Sequence, residues 1–207
     1  MQKTIEKNVI IVGTGIHLGR PARLTIKPAP TNHGIVFKRL DVDHNNTLIK
    51  ANFKNILSGE LCTTLVNEEG ISVKTVEHLL AAFSGLGISN ALIEIDNEEI
   101  PILDGSSLKF AQALIDAGIC EQDESLNFCS VKKSIKVVNK NSWVKFEPAD
   151  NLILTVCIDY PNTCIGKQNL SLIISKEEKY RICFPAQVVS DILVKRKILA
   201  KKRINSN

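Results

Sequence analysis

Residues 75–87, TVEHLLAAFSGLG, set a carboxylate, Glu77, directly before an imidazole, His78, at the start of a predicted helix. An ionised carboxylate can take a proton from water, and a neutral imidazole can hold a metal, so the pair has the parts of half a hydrolytic metal site. The position suits both forms, because the positive end of a helix dipole stabilises an anion and opposes an added cation. The pattern is not HExxH, in which one helix carries two ligands. Here the helix carries one ligand at most. The same two residues also suit a plain reading, a capped helix with a polar, solvated first turn. Residue type and spacing alone leave both readings open.

The helix itself is well specified. Side chains three and four apart share a face, so Val76, Leu79, Leu80 and Phe83 form an apolar stripe to be buried on a sheet. Ala81 and Ser84 lie below Glu77, while Ala82 and Gly85 lie below His78. This small-residue face is expected to leave room for another element or a ligand. Gly85 and Gly87 close the helix. A second helix is predicted over 107–118, SLKFAQALIDAG, with Ser106 or Ser107 as its cap and Gly118 as its stop.

The elements around these helices read as strands. KNVIIVGTG (7–15) and ARLTIKPAP (22–30) flank a glycine-rich turn, GTGIHLG (13–19). That turn is not a phosphate loop, which would be GxGxxG leading into a helix; its glycines are expected to serve positive φ. GIVFKRL (34–40) follows, and CTTLVNEEGISVK (62–74) folds back at Glu68-Glu69-Gly70. NALIEI (90–95) is a strand, and Asp104-Gly105 is expected to fix the turn into the second helix. After a polar break, EQDESLN (121–127), strands resume in SVKKSIKVV, WVKFEP, LILTVCIDY and QNLSLII. The order is a strand-rich first unit with two helices, then the strands of a second unit: an α+β chain.

Length and composition fit this. The chain has 207 residues, 44% hydrophobic and 23% charged, an ordinary globular balance. No apolar run approaches the roughly 18–20 residues of a membrane span, and the N-terminus lacks the features of a signal peptide, so a cytoplasmic location is expected. The six cysteines form no CxxC pair and are expected as small buried hydrophobes. Lys195, Arg196, Lys197, Lys201, Lys202 and Arg203 supply six positive charges near the C-terminus, and removing them takes the net charge from +4 to −2. The body is mildly acidic, which argues against a nucleic-acid partner.

Four stretches in order, GTGIHLG (13–19), LCTTLVNE (61–68), TVEHLLAAFSGLGISN (75–90) and EIPILDGSS (99–107), resemble the signature stretches of one family. It is the zinc-dependent UDP-3-O-acyl-N-acetylglucosamine deacetylases, which catalyse the committed step of lipid A synthesis in Gram-negative bacteria. The resemblance runs from near residue 3 to about residue 175. It implies two-layer β-sheet/α-helix sandwich domains with the active site between them. It places the first domain at 1–123 and a truncated second domain at 128–207. It implies Zn2+ as cofactor, His78 as one of three ligands, and Glu77 as the general base that activates water against the acetamide carbonyl. The implied substrate is UDP-3-O-acyl-N-acetylglucosamine. Cys62, Thr63 and Thr64 fall where the family lines its cleft, and His17 is a lesser candidate beside the site.

The resemblance also implies residues that this sequence lacks. The family takes its other two ligands from a His-Lys-x-x-Asp stretch in the second domain, and a later histidine there protonates the leaving amine. This chain has His17, His33, His44 and His78, and none beyond. Asp159 and Asp191 do not sit in ligand-like spacing. At the place of the family's acyl-passage stretch the chain reads FPAQVV (184–189). The expectation is a truncated member with a divergent tail from about residue 180, written by a foreign reading frame. Either it acts as a deacetylase or it is an inactive remnant without the second-domain ligands and acid. Exposed apolar strand surface and poor solubility are expected of the unfinished domain. The tail also reads as a basic amphipathic helix, with Val188, Val189, Ile192, Leu193 and Leu199 on one side, which suits weak membrane-surface contact.

Overall fold

The structure is a computed structural model that describes residues 1–57, 61–127 and 130–174. The divergent tail, Cys129, Cys183, Asp191 and the expected membrane-contact helix all lie outside the described residues.

The strands and helices follow in order. Strands β1 (Lys3–Ile5), β2 (Val9–Thr14), β3 (Pro21–Pro28), β4 (Ile35–Arg39) and β5 (Leu48–Lys50) come first. A single 3₁₀ turn, Phe53–Asn55, leads to β6 (Ile56–Leu57), β7 (Thr64–Val66), β8 (Ser72–Lys74) and helix α1 (Glu77–Leu86). Then come β9 (Ala91–Ile95), α2 (Leu108–Asp116), β10 (Ile119–Glu121), β11 (Ile135–Asn139), β12 (Ser142–Phe146), β13 (Leu152–Tyr160) and β14 (Gly166–Ile174). Mixed sheets with two helices make this an α+β fold.

The main sheet has the order β2-β3-β9-β4-β5. Its pairs are antiparallel except β4–β9, which run parallel. A parallel pair needs a long crossover, and the stretch from β5 through α1 supplies it. Strand alternation turns Val9 and Ile11, Ala22, Leu24 and Ile26, Ile93 and Ile95 to one face, where they are buried. The helices cover that face with Leu79, Ala82 and Phe83 of α1 and Phe110, Ala111 and Leu114 of α2, all in one core. On the opposite face Ile10 and Val12 are exposed, and Lys27 pairs with Glu94 at 2.7 Å. A second sheet, β6-β7-β8, carries the turn at Asn67–Ile71, in which the Asn67 carboxamide oxygen accepts the N–H groups of Glu69 and Ile71.

Buried amides tie the start of this layered part to its end. Asn90 is 1% exposed. Its oxygen accepts the Gly34 N–H, and its Nδ2 donates to Gln2 Oε1 and Gln122 Oε1 at 2.8 and 2.7 Å. Gln122 in turn donates to the Ala29 carbonyl, and Gln2 to Asn32. The same ends pair as strands, with Lys3 opposite Glu121 and Ile5 opposite Ile119.

Beyond this part lie two hairpins, β11–β12 and β13–β14, each pairing only with itself among the described strands. The register of the first puts Ile135, Val137, Val144 and Phe146 on one face, with exposures from 48% (Ile135) to 57% (Val137). Lys136 stacks on Trp143 on the other, 4.9 Å from the ring centre. In the second hairpin Leu152, Leu154, Val156, Leu170 and Leu172 share one face, and Thr155, Ser171, Cys157 and Asn169 the other. The thiols correct the expectation of buried cysteines: Cys157 and Cys164 are exposed, and Cys62 and Cys120 are only half-buried. Cys157 is exposed as most of its hairpin is, on the face it shares with Thr155, Ser171 and the exposed Ile153 and Ile173.

Candidate functional site

Helix α1 begins two residues later than its sequence suggests, and the reason is chemical. Thr75 takes φ 60°, a left-handed conformation that costs a β-branched residue on the order of 1–3 kcal/mol. Its hydroxyl does not cap the helix; it donates to Glu99 Oε1 at 3.0 Å. Val76 takes the cap position with helical φ and ψ and makes no side-chain cap. The backbone of Thr63 serves in its place. The Thr63 carbonyl accepts the Val76 N–H at 3.4 Å, and the Thr63 N–H donates to Glu77 Oε2 at 3.1 Å. The far end closes as expected, with Gly87 at φ 72° donating to the carbonyls of Phe83 and Ser84.

The structure thus brings Thr63 onto Glu77. Cys62 and Thr64 flank that contact, with Cys62 Sγ 3.7 Å from Thr64 Oγ1. The segment enters through Leu61, which has φ 73° and is 88% exposed. Glu77 and His78 are both half-buried at the open end of α1. The room expected below His78 is taken, because Ala82 is packed into the core and Gly85 is also buried, whereas Ser84 below Glu77 is exposed. His33 and His44 are engaged elsewhere. His33 Nδ1 lies 2.9 Å from the Gly34 carbonyl, and His44 Nε2 lies 3.9 Å from Glu69.

Glu99 is the residue that sequence reading missed. It is 1% exposed, yet its carboxylate is fully engaged. Oε1 accepts the His17 N–H at 2.9 Å and the Thr75 hydroxyl, and Oε2 accepts the Leu18 N–H at 2.7 Å. Burial works to raise its pKa and is the largest single influence. The backbone donors His17 and Leu18, the Thr75 hydroxyl and the charge of His17 together outweigh it, so the carboxyl stays below its ordinary value. Its neighbour Glu98 points outward. There the Lys74 ammonium at 2.8 Å, more than the Ser72 hydroxyl, overcomes partial burial and holds that carboxyl low as well.

His17 therefore reaches the start of α1 through Glu99, by way of its own backbone, while its ring is exposed. This revises the glycine-rich turn. Of its three glycines only Gly19 has positive φ. Gly13 and Gly15 are needed for space: an added Cβ at Gly15 would fall on the Glu99 carboxylate, and one at Gly13 would lie 2.9 Å from Pro101 Cβ. The turn after Pro101 closes as expected. Asp104 Oδ1 accepts both the N–H and the hydroxyl of Ser106, whose oxygen accepts the Leu108 N–H at the start of α2.

Among the described residues no three His, Cys, Asp or Glu side chains gather closely enough to hold a metal ion. Glu77 and His78 are thus at most part of a metal site. No helix among the described residues is long and apolar enough to cross a membrane.

Comparison with known proteins agrees with the ordered motifs. A family profile described as LpxC, UDP-3-O-acyl N-acetylglycosamine deacetylase, matches residues 2–189, farther along the chain than the four motifs alone suggested. The chain is 42% identical over 166 residues to a UDP-3-O-acyl-N-acetylglucosamine deacetylase of Histophilus somni, covering 80% of this chain and 54% of that protein. It is 41% identical, with the same coverage, to the protein of that name from Pasteurella multocida. A third relative so named, from Idiomarina loihiensis, is 41% identical over 165 residues, again 80% of this chain and 54% of its own length. The chain spans about half the length of these curated relatives. The profile match over most of its residues shows that the chain belongs to the UDP-3-O-acyl-N-acetylglucosamine deacetylase family.

Proposed function

We propose that this chain supplies the Glu77-His78 half of a hydrolase that removes the acetyl group from UDP-3-O-acyl-N-acetylglucosamine in lipid A synthesis. The observation that carries the reading is the ordered pair at the mouth of α1, with Glu77 held by Thr63 in a chain of this family. Thr63 occupies Oε2 of Glu77, which leaves Oε1 to take a proton from the attacking water. His78 is the described residue suited to be a zinc ligand. The described residues do not compose a zinc site by themselves, so the remaining ligands must come from polypeptide beyond them. Cys62, Thr64 and His17 enter this reading as cleft-lining residues by family resemblance; Cys62 and Thr64 flank the Thr63–Glu77 contact, and His17 is tied to the start of α1 through Glu99. The reading includes a cytoplasmic location, where a nucleotide-linked sugar substrate is available, and the layered domain at 1–123 followed by a second one from 128.

A second reading, a remnant without activity of its own, is favoured by one sequence fact: no histidine follows His78. Zinc content and deacetylase turnover of the purified chain separate the two. Each is measured alone and after mixing with the C-terminal part of a matched relative. The first reading expects zinc and turnover in the mixture, with Glu77→Gln lowering turnover by roughly 10²–10⁴-fold. A mixture that binds no zinc and turns over nothing establishes the second reading. Full turnover in a Glu77→Gln mixture overturns the assignment of the base.

A further inference from the structure

Three elements meet at one buried carboxylate. The turn at 15–18 donates two backbone N–H groups to Glu99, and Thr75 donates its hydroxyl. Glu99 thus joins the turn to the residue that leads into α1. Glu99 is itself anchored, because its neighbours form a backbone bridge with β8: the Lys74 N–H donates to the Glu98 carbonyl, and the Ile100 N–H to the Lys74 carbonyl. A carboxylate with two oxygens and three converging donors fixes position in a way that a neutral side chain of similar shape does not. An amide in its place offers one oxygen and turns an NH2 group against an N–H donor. Gly15 leaves the space that lets the turn close on the carboxylate.

The consequence passes along the backbone to the candidate site. Thr75 is two residues before Glu77, and its left-handed φ sets the direction in which α1 leaves β8. Helix α1 makes no side-chain cap that would set this direction independently. The contact most sensitive to it is the Thr63 N–H to Glu77 Oε2 bond, since Glu77 occupies the first helical position.

We propose that Glu99 is a positioning residue: by gripping Thr75 and the His17 turn together, it aims the first turn of α1, which carries Glu77 and His78, so that Glu77 meets Thr63. This deepens the reading of Glu77 and His78 as site residues and rests on it for its functional meaning. Its test uses neither zinc nor turnover, so the two can fail separately.

The test is amide hydrogen exchange and imidazole NMR on the full chain. Glu99→Gln is expected to speed exchange of the Thr63 N–H by roughly tenfold, as loss of one charge-assisted hydrogen bond allows, and to move the His78 ring resonances. Glu98→Gln alters the adjacent outward carboxylate and is expected to leave both readouts at their original values. Thr75→Ala removes only the donor and should reproduce the Glu99→Gln pattern, while Thr75→Ser keeps the hydroxyl and should restore it to normal. This pair decides the matter if Glu99→Gln does not fold. Unchanged Thr63 exchange in Thr75→Ala, or equal changes in Glu98→Gln and Glu99→Gln, would overturn the proposal.

Discussion

The layered part of the molecule and its two later hairpins are built from the same kind of strand and end in opposite states. In β3, alternation sends Leu24 and Ile26 to one side, and both are fully buried under α1 and α2. In β11 and β12, alternation sends Ile135, Val137, Val144 and Phe146 to one side, and all remain about half exposed. The sequence pattern is equally good in both. What differs is a cover: the layered part carries two amphipathic helices in the right places, and no described helix lies against the hairpins. A two-faced strand states which side wants to be buried, and another element has to do the burying.

That comparison can be broken by mutation. The largest effect is expected at Phe83, 1% exposed in the core. Phe83→Ala should lower the stability of the layered part by about 3–5 kcal/mol, whereas Val144→Ala on the hairpin should change it by less than about 0.5 kcal/mol. Chemical denaturation of the two variants decides it, and comparable losses would mean that the hairpin face is covered in solution. An intermediate effect is expected at the amide cluster. Asn90→Ala strands the Gly34 N–H and removes one donor each from Gln2 Oε1, which keeps the Asn32 N–H, and Gln122 Oε1, at a cost of about 1–3 kcal/mol. Exchange of the amides in β1 and β10 should rise before that of β3 and β9, because the cluster joins the former two to the sheet.

The smallest effect concerns acid. All the described carboxyls held below their ordinary values, Asp41, Glu98 and Glu99, lie in the layered part. Because their folded values are depressed, each stabilises the fold above its unfolded value and loses that contribution as pH falls through the folded value. For Glu99 the decline begins near its ordinary value of 4.5 and continues below it. Thermal melts of Glu99→Gln should start lower at neutral pH and fall less steeply below about pH 4.5 than those of the unsubstituted chain. A parallel decline in the two proteins would show that Glu99 is not an acid-sensitive anchor.

Much of the fold was legible because it depends on short-range periodicity and turn chemistry. Val76, Leu79 and Phe83 of the expected stripe are buried, Leu80 is half-buried against the same core, and the turn before Ile71 and the Asp104 turn emerge as read. The start of α1 did not, because nothing near Thr75 in the sequence shows that a carboxylate 24 residues later claims its hydroxyl. Glu98 and Glu99 are indistinguishable in composition, and only the backbone bridge to Lys74 sends one outward and the other inward. The glycine-rich turn was misread for a related reason: its need for space arises from a residue distant in sequence. At the candidate site Glu77 and His78 were visible as a pair, and the approach of Thr63 was suggested only by resemblance. The partners expected from the second half have no counterpart in the sequence pattern.

The pairing of β1 with β10 bears on synthesis. Lys3 lies opposite Glu121, so β1 leaves the ribosome more than a hundred residues ahead of the strand it pairs with. Until then Ile5, fully buried in the finished fold, lacks its paired strand. Contacts so distant in sequence form late and slow a folding reaction. A nascent chain that stops short of Ile119 leaves β1 without the strand it pairs with.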